Sequence, residues 1–107
     1  MGKKRHTARS RNDQVATDFR LYARASADRA IEALKAIISA LPARAKETVK
    51  YIMPGFTHLR KAQPVNCAQY FNAYSEMFLR DLDRFSALRK RMNVMPLGSA
   101  ALAGTSY

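Results

Sequence analysis

Apolar side chains recur along two stretches of the chain with the spacing of α-helices. In residues 13–50 and again in residues 65–92 they return mostly every three or four residues, which places them on one face of a helix. Because no stretch alternates as a strand does, we predict an all-α fold with two long helices and connecting loops. The apolar stripe of the first stretch consists of Val15, Phe19, Tyr22, Ala30, Ile37 and Leu41, and it is widened by Ile31, Leu34 and Ile38. The apolar stripe of the second stretch consists of Phe71, Tyr74, Phe78, Leu82, Phe85 and Leu88, and it is widened by Tyr70, Ala73 and Met77.

Turn-forming and helix-ending residues divide the chain into five segments. Residues 1–12 have no apolar period and predict a loop that leads to N-cap residue types at Ser10, Asn12 and Asp13. Pro42 lacks an amide proton and should kink or interrupt the first helix. The Pro54-Gly55 pair predicts a turn within a loop at residues 51–64, and Pro64 suits the first turn of the second helix. Residues 93–107 are rich in Gly, Ser and Ala and predict a loop-like tail.

The width of the two apolar faces has a consequence for assembly. A helix of 28 residues is about 42 Å long, and two such helices can cover only one side of each other. The simplest interpretation of the stripes is therefore the core of a larger helical bundle, of which residues 1–107 form a part. Other copies of the chain or further sequence would supply the remaining helices.

Charge and cysteine content indicate which binding partners and which cellular compartment to expect. Lys and Arg number 19 against 8 Asp and Glu, a formal net charge of +11, which favours anionic partners. The basic residues are spread along the chain and the aromatic residues lie on the apolar stripes, so nucleic-acid binding is the less favoured alternative. Cys67 is the only cysteine. With no signal-peptide pattern, no membrane-length apolar run and no metal-ligand pattern, we expect a cytoplasmic protein without a metal or cofactor.

Three strings of the sequence resemble the argininosuccinate lyase family, which includes lens δ-crystallin and belongs to the fumarase/aspartase superfamily. They are HTARSRNDQ at residues 6–14, PGFTHLRKAQP at residues 54–64 and NVMPLGSAALAGT at residues 93–105. Their order, with a long helix between each pair, matches the family as well. The resemblance covers essentially the whole chain, and the first string is its most specific part.

The resemblance implies an enzyme that cleaves argininosuccinate to arginine and fumarate by β-elimination, as a step of arginine biosynthesis. Such a reaction needs donors that hold the developing negative charge and a group that transfers protons. By resemblance Ser10, Arg11, Asn12 and Thr57 would bind the substrate. By the same resemblance His58 would be catalytic, and histidine is a residue type suited to proton transfer near neutrality. Gln63 would position the loop. The family also implies a homotetramer whose active sites are each built from three subunits.

Other interpretations of these residues stay open. Taken without the family resemblance, Ser10 and Asn12 are better explained as helix caps, and His58 as an ordinary loop histidine. The third conserved region of the family, which supplies a serine, a lysine and an asparagine, is absent from the 107 residues, and Arg60 replaces the family's usual Gln. We therefore expect this chain, as a fragment, to be catalytically incomplete. A non-catalytic helical self-association module is the alternative function.

Overall fold

The computed structural model describes residues 9–99 and contains two long helices joined by a two-stranded hairpin. The predicted helical fold with two long helices is confirmed. Residues 1–8 of the predicted N-terminal loop, including His6, and residues 100–107 of the predicted tail lie outside the described residues, and the first helix begins at Arg11, two residues before the predicted Asp13. The elements in chain order are α1 (Arg11–Thr48), β1 (Ile52–Thr57), β2 (Arg60–Asn66) and α2 (Cys67–Met92). The contacts divide the described chain into two units, one formed by residues 9–29 and 87–99 and the other by residues 30–86.

The first helix starts at a serine cap and runs through its proline. The Asn12 amide donates to the Ser10 hydroxyl oxygen at 3.1 Å, which satisfies one of the amides that a helix start leaves unpaired. Pro42 lies inside α1, which continues to Thr48 as a single helix. The interruption that was one of the two expectations at Pro42 is therefore not found. Proline removes one backbone donor, while its neighbours Leu41 and Ala43 are strong helix formers.

The expectation of a loop at residues 51–64, and of no strand, was wrong. β1 and β2 pair antiparallel from Ile52 opposite Asn66 to Thr57 opposite Arg60. The hairpin could not be recognised in the sequence, because its residues do not alternate between apolar and polar and because each strand contains a proline; Pro54 lies opposite Pro64 in the ladder. Proline is normally a sign against a strand, but a two-stranded hairpin consists of edge strands only, where proline is tolerated.

The prediction of a turn at Pro54-Gly55 was wrong, because both residues lie within β1 and the chain turns at His58-Leu59. His58 and Leu59 are the two central residues of the turn, with φ of 51° and 62°, the positive values required at both positions of a type I′ turn. Such values are unfavourable for residues other than Gly, Asn and Asp. The sequence therefore carries none of the usual signals of this turn.

Gly55 has a different role in the hairpin from the predicted one. The ladder is irregular between Pro54 and Phe56, and a Cβ built on Gly55 would lie 2.6 Å from the backbone oxygen of Gln63. Glycine is required here because the opposite backbone approaches too closely for any side chain.

One asparagine joins the end of α1 to the start of α2. The Asn66 side-chain amide donates to the Val49 carbonyl oxygen at 2.7 Å, and its side-chain oxygen accepts from the Ala68 amide at 2.9 Å. Asn66 is thus the N-cap of α2, which begins at Cys67 rather than at the predicted Val65. The Cys67 amide, which donates to the Tyr51 carbonyl oxygen at 3.0 Å, closes the same junction.

The described residues bury few apolar side chains. The buried hydrophobic residues are Ala27, Ala45 and Ala68, and no large side chain is fully buried. Large apolar residues of both predicted stripes are instead exposed, among them Phe19 and Tyr22, each 67% exposed. These exposed faces fit the interpretation of the stripes as core positions of a larger bundle.

Candidate active site

The first group of predicted site residues lies at the N-terminal end of α1. Ser10 immediately precedes the helix and is half-buried, while Arg11 and Asn12 form its first turn and are exposed. Amides at a helix start, together with the helix dipole, favour a negatively charged ligand. The Ser10 hydroxyl oxygen accepts from the Asn12 amide, and a hydroxyl that accepts in this way can still donate its own proton. Capping and ligand binding are thus compatible roles for Ser10.

Asp13, in the first turn of α1, accepts a hydrogen bond from this part of the chain and another from a distant one. It is only 7% exposed, and its Oδ1 accepts from the Ser10 amide at 2.8 Å. Its Oδ2 accepts from the Gly98 amide at 2.7 Å. The hydrogen bond from the Gly98 amide is the main cause that lowers the pKa of Asp13. Hydrogen bonds from Ser10 lower this pKa further, whereas burial raises it. The sequence marked Asp13 only as a suitable cap residue, because no local signal announces a partner 85 residues away.

The second group of predicted site residues lies at the tip of the hairpin. Thr57 is the last residue of β1 and pairs with Arg60, the first residue of β2, and His58 occupies the turn between them. All three are exposed. The two-residue turn fixes the backbone from which the imidazole projects, at the strained φ of 51°. Backbone strain of this kind is concentrated at functional sites in proteins.

Gln63 lies in β2 and is exposed. Its backbone oxygen faces Gly55 across the hairpin. The contact that Gln63 makes within the hairpin is therefore made by its main chain. The predicted role of its side chain in positioning the loop stays a prediction.

The two groups of residues belong to different units of the chain. The structure brings Ser10, Arg11 and Asn12 together in the unit of residues 9–29 and 87–99, and Thr57 and His58 in the unit of residues 30–86. Within residues 9–99 there is no cluster of His, Cys, Asp and Glu side chains that could hold a metal ion. In the same range no helix is long and apolar enough to cross a membrane.

A cavity of about 350 Å³ lies in the first of these units, between α1 and the segment that follows α2. Arg20, Leu21 and Arg24 form one wall, and residues 92–97 form the other. The guanidinium of Arg20 donates to the Val94 carbonyl oxygen at 2.6 Å. None of the predicted site residues lines this cavity.

Comparison with known proteins assigns the chain to an enzyme class. A sequence profile described as lyase matches residues 1–107, so the chain belongs to this lyase family. Among curated relatives, it is 57% identical over 106 residues to the argininosuccinate lyase of Nitrosospira multiformis, covering 99% of this chain and 22% of that protein. It is 55% identical over 107 residues to the argininosuccinate lyase of Caldanaerobacter subterraneus, covering 100% and 24%. The chain thus spans less than a quarter of the length of these relatives.

Solved structures give the same assignment. An EDDS lyase in complex with formate matches with a TM-score of 0.92 and 36% identity, covering 98% of this chain and 21% of that one. A fumarate lyase of the δ-crystallin type from Brucella melitensis matches with a TM-score of 0.79 and 28% identity, covering 88% and 22%. A variant of EDDS lyase has been solved with bound fumarate.

Proposed function

We propose that this chain supplies two active-site segments of an argininosuccinate lyase, an enzyme that cleaves argininosuccinate to arginine and fumarate. The observation that carries the proposal is the identity of 55–57% to argininosuccinate lyases over the whole chain, which includes both motifs. The fumarate bound to a structural neighbour supports a dicarboxylate as ligand.

In this proposal the start of α1 binds a carboxylate of the substrate. The side chains of Ser10, Arg11 and Asn12 offer a hydroxyl, a guanidinium and an amide as donors, and the helix dipole adds to the attraction. Thr57 donates to a carboxylate of the succinyl part. These donors stabilise the negative charge that develops when the proton beside the carboxylate leaves.

His58 transfers a proton in the elimination. An exposed imidazole on a two-residue turn is accessible to substrate, and a histidine suits proton transfer near neutral pH. The strained backbone at His58 supports a functional reason for keeping this residue where Asn or Gly would be more stable. The reaction needs no metal or organic cofactor in this scheme.

The chain on its own should not complete the reaction. The family's third conserved region is not among the 107 residues, and loss of one member of a catalytic unit removes on the order of a thousandfold or more of the rate. The purified chain should therefore form no fumarate from argininosuccinate, as followed by the ultraviolet absorbance of fumarate. Fumarate formation that His58→Asn abolishes would contradict this incompleteness and show that two regions suffice.

A complete lyase carrying this sequence provides the direct test of function. It should cleave argininosuccinate, and His58→Asn should lower kcat strongly while the circular dichroism spectrum of the helices stays unchanged. An active His58→Asn enzyme would remove His58 from the mechanism, and an inactive wild type would refute the proposed function.

We further propose a homo-oligomer in the cytoplasm. The exposed apolar residues of both helices support assembly with other copies, and the single, unpaired cysteine Cys67 suits a reducing compartment. A stable, folded monomer in sedimentation at micromolar concentration would contradict the oligomer. If oligomers form but a complete lyase carrying this sequence is inactive, the self-association module becomes the better proposal.

A further inference from the structure

Asp13 is a buried charged residue for which the proposed chemistry has no use. Asp13 and Ser75 are the buried polar residues in the described part of the chain. Ser75 is neutral, whereas a carboxylate removed from water is unfavourable unless hydrogen bonds compensate it. Asp13 has such compensation, and its partners indicate what the residue does.

The two carboxylate oxygens of Asp13 bind two separate pieces of backbone. Oδ1 accepts from the amide of Ser10 at 2.8 Å, which fixes the residue that precedes α1. Oδ2 accepts from the amide of Gly98 at 2.7 Å, beyond the end of α2. Hydrogen bonds to an ionised acceptor are stronger and shorter than neutral ones. One side chain therefore links the Ser10–Asn12 turn to a segment far away in sequence.

The segment around Gly98 is shaped for this contact. Its turn is closed by the amide and the hydroxyl of Ser99, which both donate to the Pro96 carbonyl oxygen, at 3.1 and 2.7 Å. Gly98 has a φ of +92°, which residues with a side chain rarely adopt. No atom lies within 4 Å of a Cβ built there, so the glycine is required by the backbone conformation that directs its amide and not by lack of space.

We propose that Asp13 is a positioning residue, which holds the Ser10–Asn12 turn in its substrate-binding geometry by anchoring it to the Gly98 turn. This inference rests on the proposed function, because it assumes that Ser10 and Asn12 bind substrate. It adds that the third string of the sequence acts on the site through a main-chain amide. A residue in this role alters binding without touching the substrate.

Nuclear magnetic resonance on the chain tests the link itself. In Asp13→Asn, the side chain keeps one acceptor oxygen but replaces the other with an amide donor, so it can satisfy only one of the two backbone amides. We expect the Ser10 and Gly98 amide resonances to shift in Asp13→Asn, and the Ser10 resonance to shift also in Gly98→Ala. The control is Asp18→Asn, which removes the same charge from an exposed position of α1. If Gly98→Ala leaves Ser10 unchanged, or if the control shifts Ser10 equally, the link is refuted.

Kinetics in a complete lyase carrying this sequence test the role. Asp13→Asn should raise KM and lower kcat, with a combined loss in kcat/KM of about 10- to 100-fold, the range for misplaced groups that bind the substrate and stabilise its developing charge. Asp13→Glu keeps two acceptor oxygens and should recover part of the loss, while Asp18→Asn should behave as wild type. A purely structural role would lower the melting temperature without this change in kcat/KM.

The outcomes separate the two proposals. If the wild-type lyase does not cleave argininosuccinate, the proposed function fails while the resonance shifts still report on the link. If the wild type is active and Asp13→Asn leaves kcat/KM unchanged, the positioning role fails and the proposed function stands.

Discussion

Relief of backbone strain at the hairpin tip should stabilise the hairpin. Leu59 has a φ of 62° and is 98% exposed, so its side chain makes almost no contact that a substitution could remove. Leu59→Gly should therefore act through the backbone alone. Glycine adopts this conformation without the clash that a Cβ causes.

The size of the effect follows from two opposing contributions. A left-handed conformation costs a residue with a side chain about 1–2 kcal/mol, which Leu59→Gly removes. Glycine also gains freedom in the unfolded chain, which opposes folding by about 0.4–1 kcal/mol. At the midpoints of the two ranges the difference leaves a net stabilisation of about 0.8 kcal/mol, which corresponds to a change of about 4-fold in the opening equilibrium of the hairpin, given an RT of about 0.59 kcal/mol.

Hydrogen exchange of the backbone amides measures this opening locally. Amides of the β1–β2 ladder should exchange about 4-fold more slowly in Leu59→Gly, while amides in the middle of α1 should be unaffected. Leu59→Ala is the matched control, because it removes the exposed side chain but keeps the Cβ and hence the strain. Equal protection in the Ala and Gly variants, or faster exchange in Leu59→Gly, would refute the assignment of strain to this turn.

Three further substitutions test the fold around the site. Gly55→Ala should disrupt the hairpin, because its Cβ would lie 2.6 Å from the Gln63 oxygen, and ladder amides should lose protection from exchange. Asn66→Ala removes a helix cap and should destabilise the fold by about 1 kcal/mol in urea unfolding. The control Asn72→Ala, at an exposed position inside α2, should change stability little. Equal losses in the two variants would contradict the capping role. The pKa of Asp13 is lowered in the folded chain, so its ionised form stabilises the fold at pH values above the ordinary aspartate pKa of about 3.9. The stability difference between wild type and Asp13→Asn should therefore hold near neutral pH and shrink as the pH falls through that value and below. A difference independent of pH would refute this.

The helices could be predicted from the sequence because their signal is repeated over many residues. Both apolar stripes follow the helical period across several turns, so single exceptions such as Pro42 do not obscure them. The hairpin could not, because its two usual indicators point the wrong way. Pro54 and Pro64 are normally signs against strands, and His58-Leu59 lacks the Asn-Gly or Gly type of sequence that favours its turn.

The candidate site divides in the same way between local and distant information. The motif residues Ser10, Asn12 and His58 could be identified from a family resemblance, since a motif is a local string. That Ser10 is held by Asp13, and Asp13 by Gly98, depends on a contact between residues 85 positions apart. Neither periodicity nor composition carries information on such a contact in a single sequence.

The buried alanines described above also determine how the chain should respond to heat. The heat-capacity change of unfolding grows with the apolar area that becomes exposed, and Ala27, Ala45 and Ala68 contribute little of it. A monomer of this chain should consequently unfold with a small heat-capacity change and in a broad thermal transition. If calorimetry shows a sharp transition instead, association must supply the missing apolar burial, and the melting temperature must then rise with protein concentration.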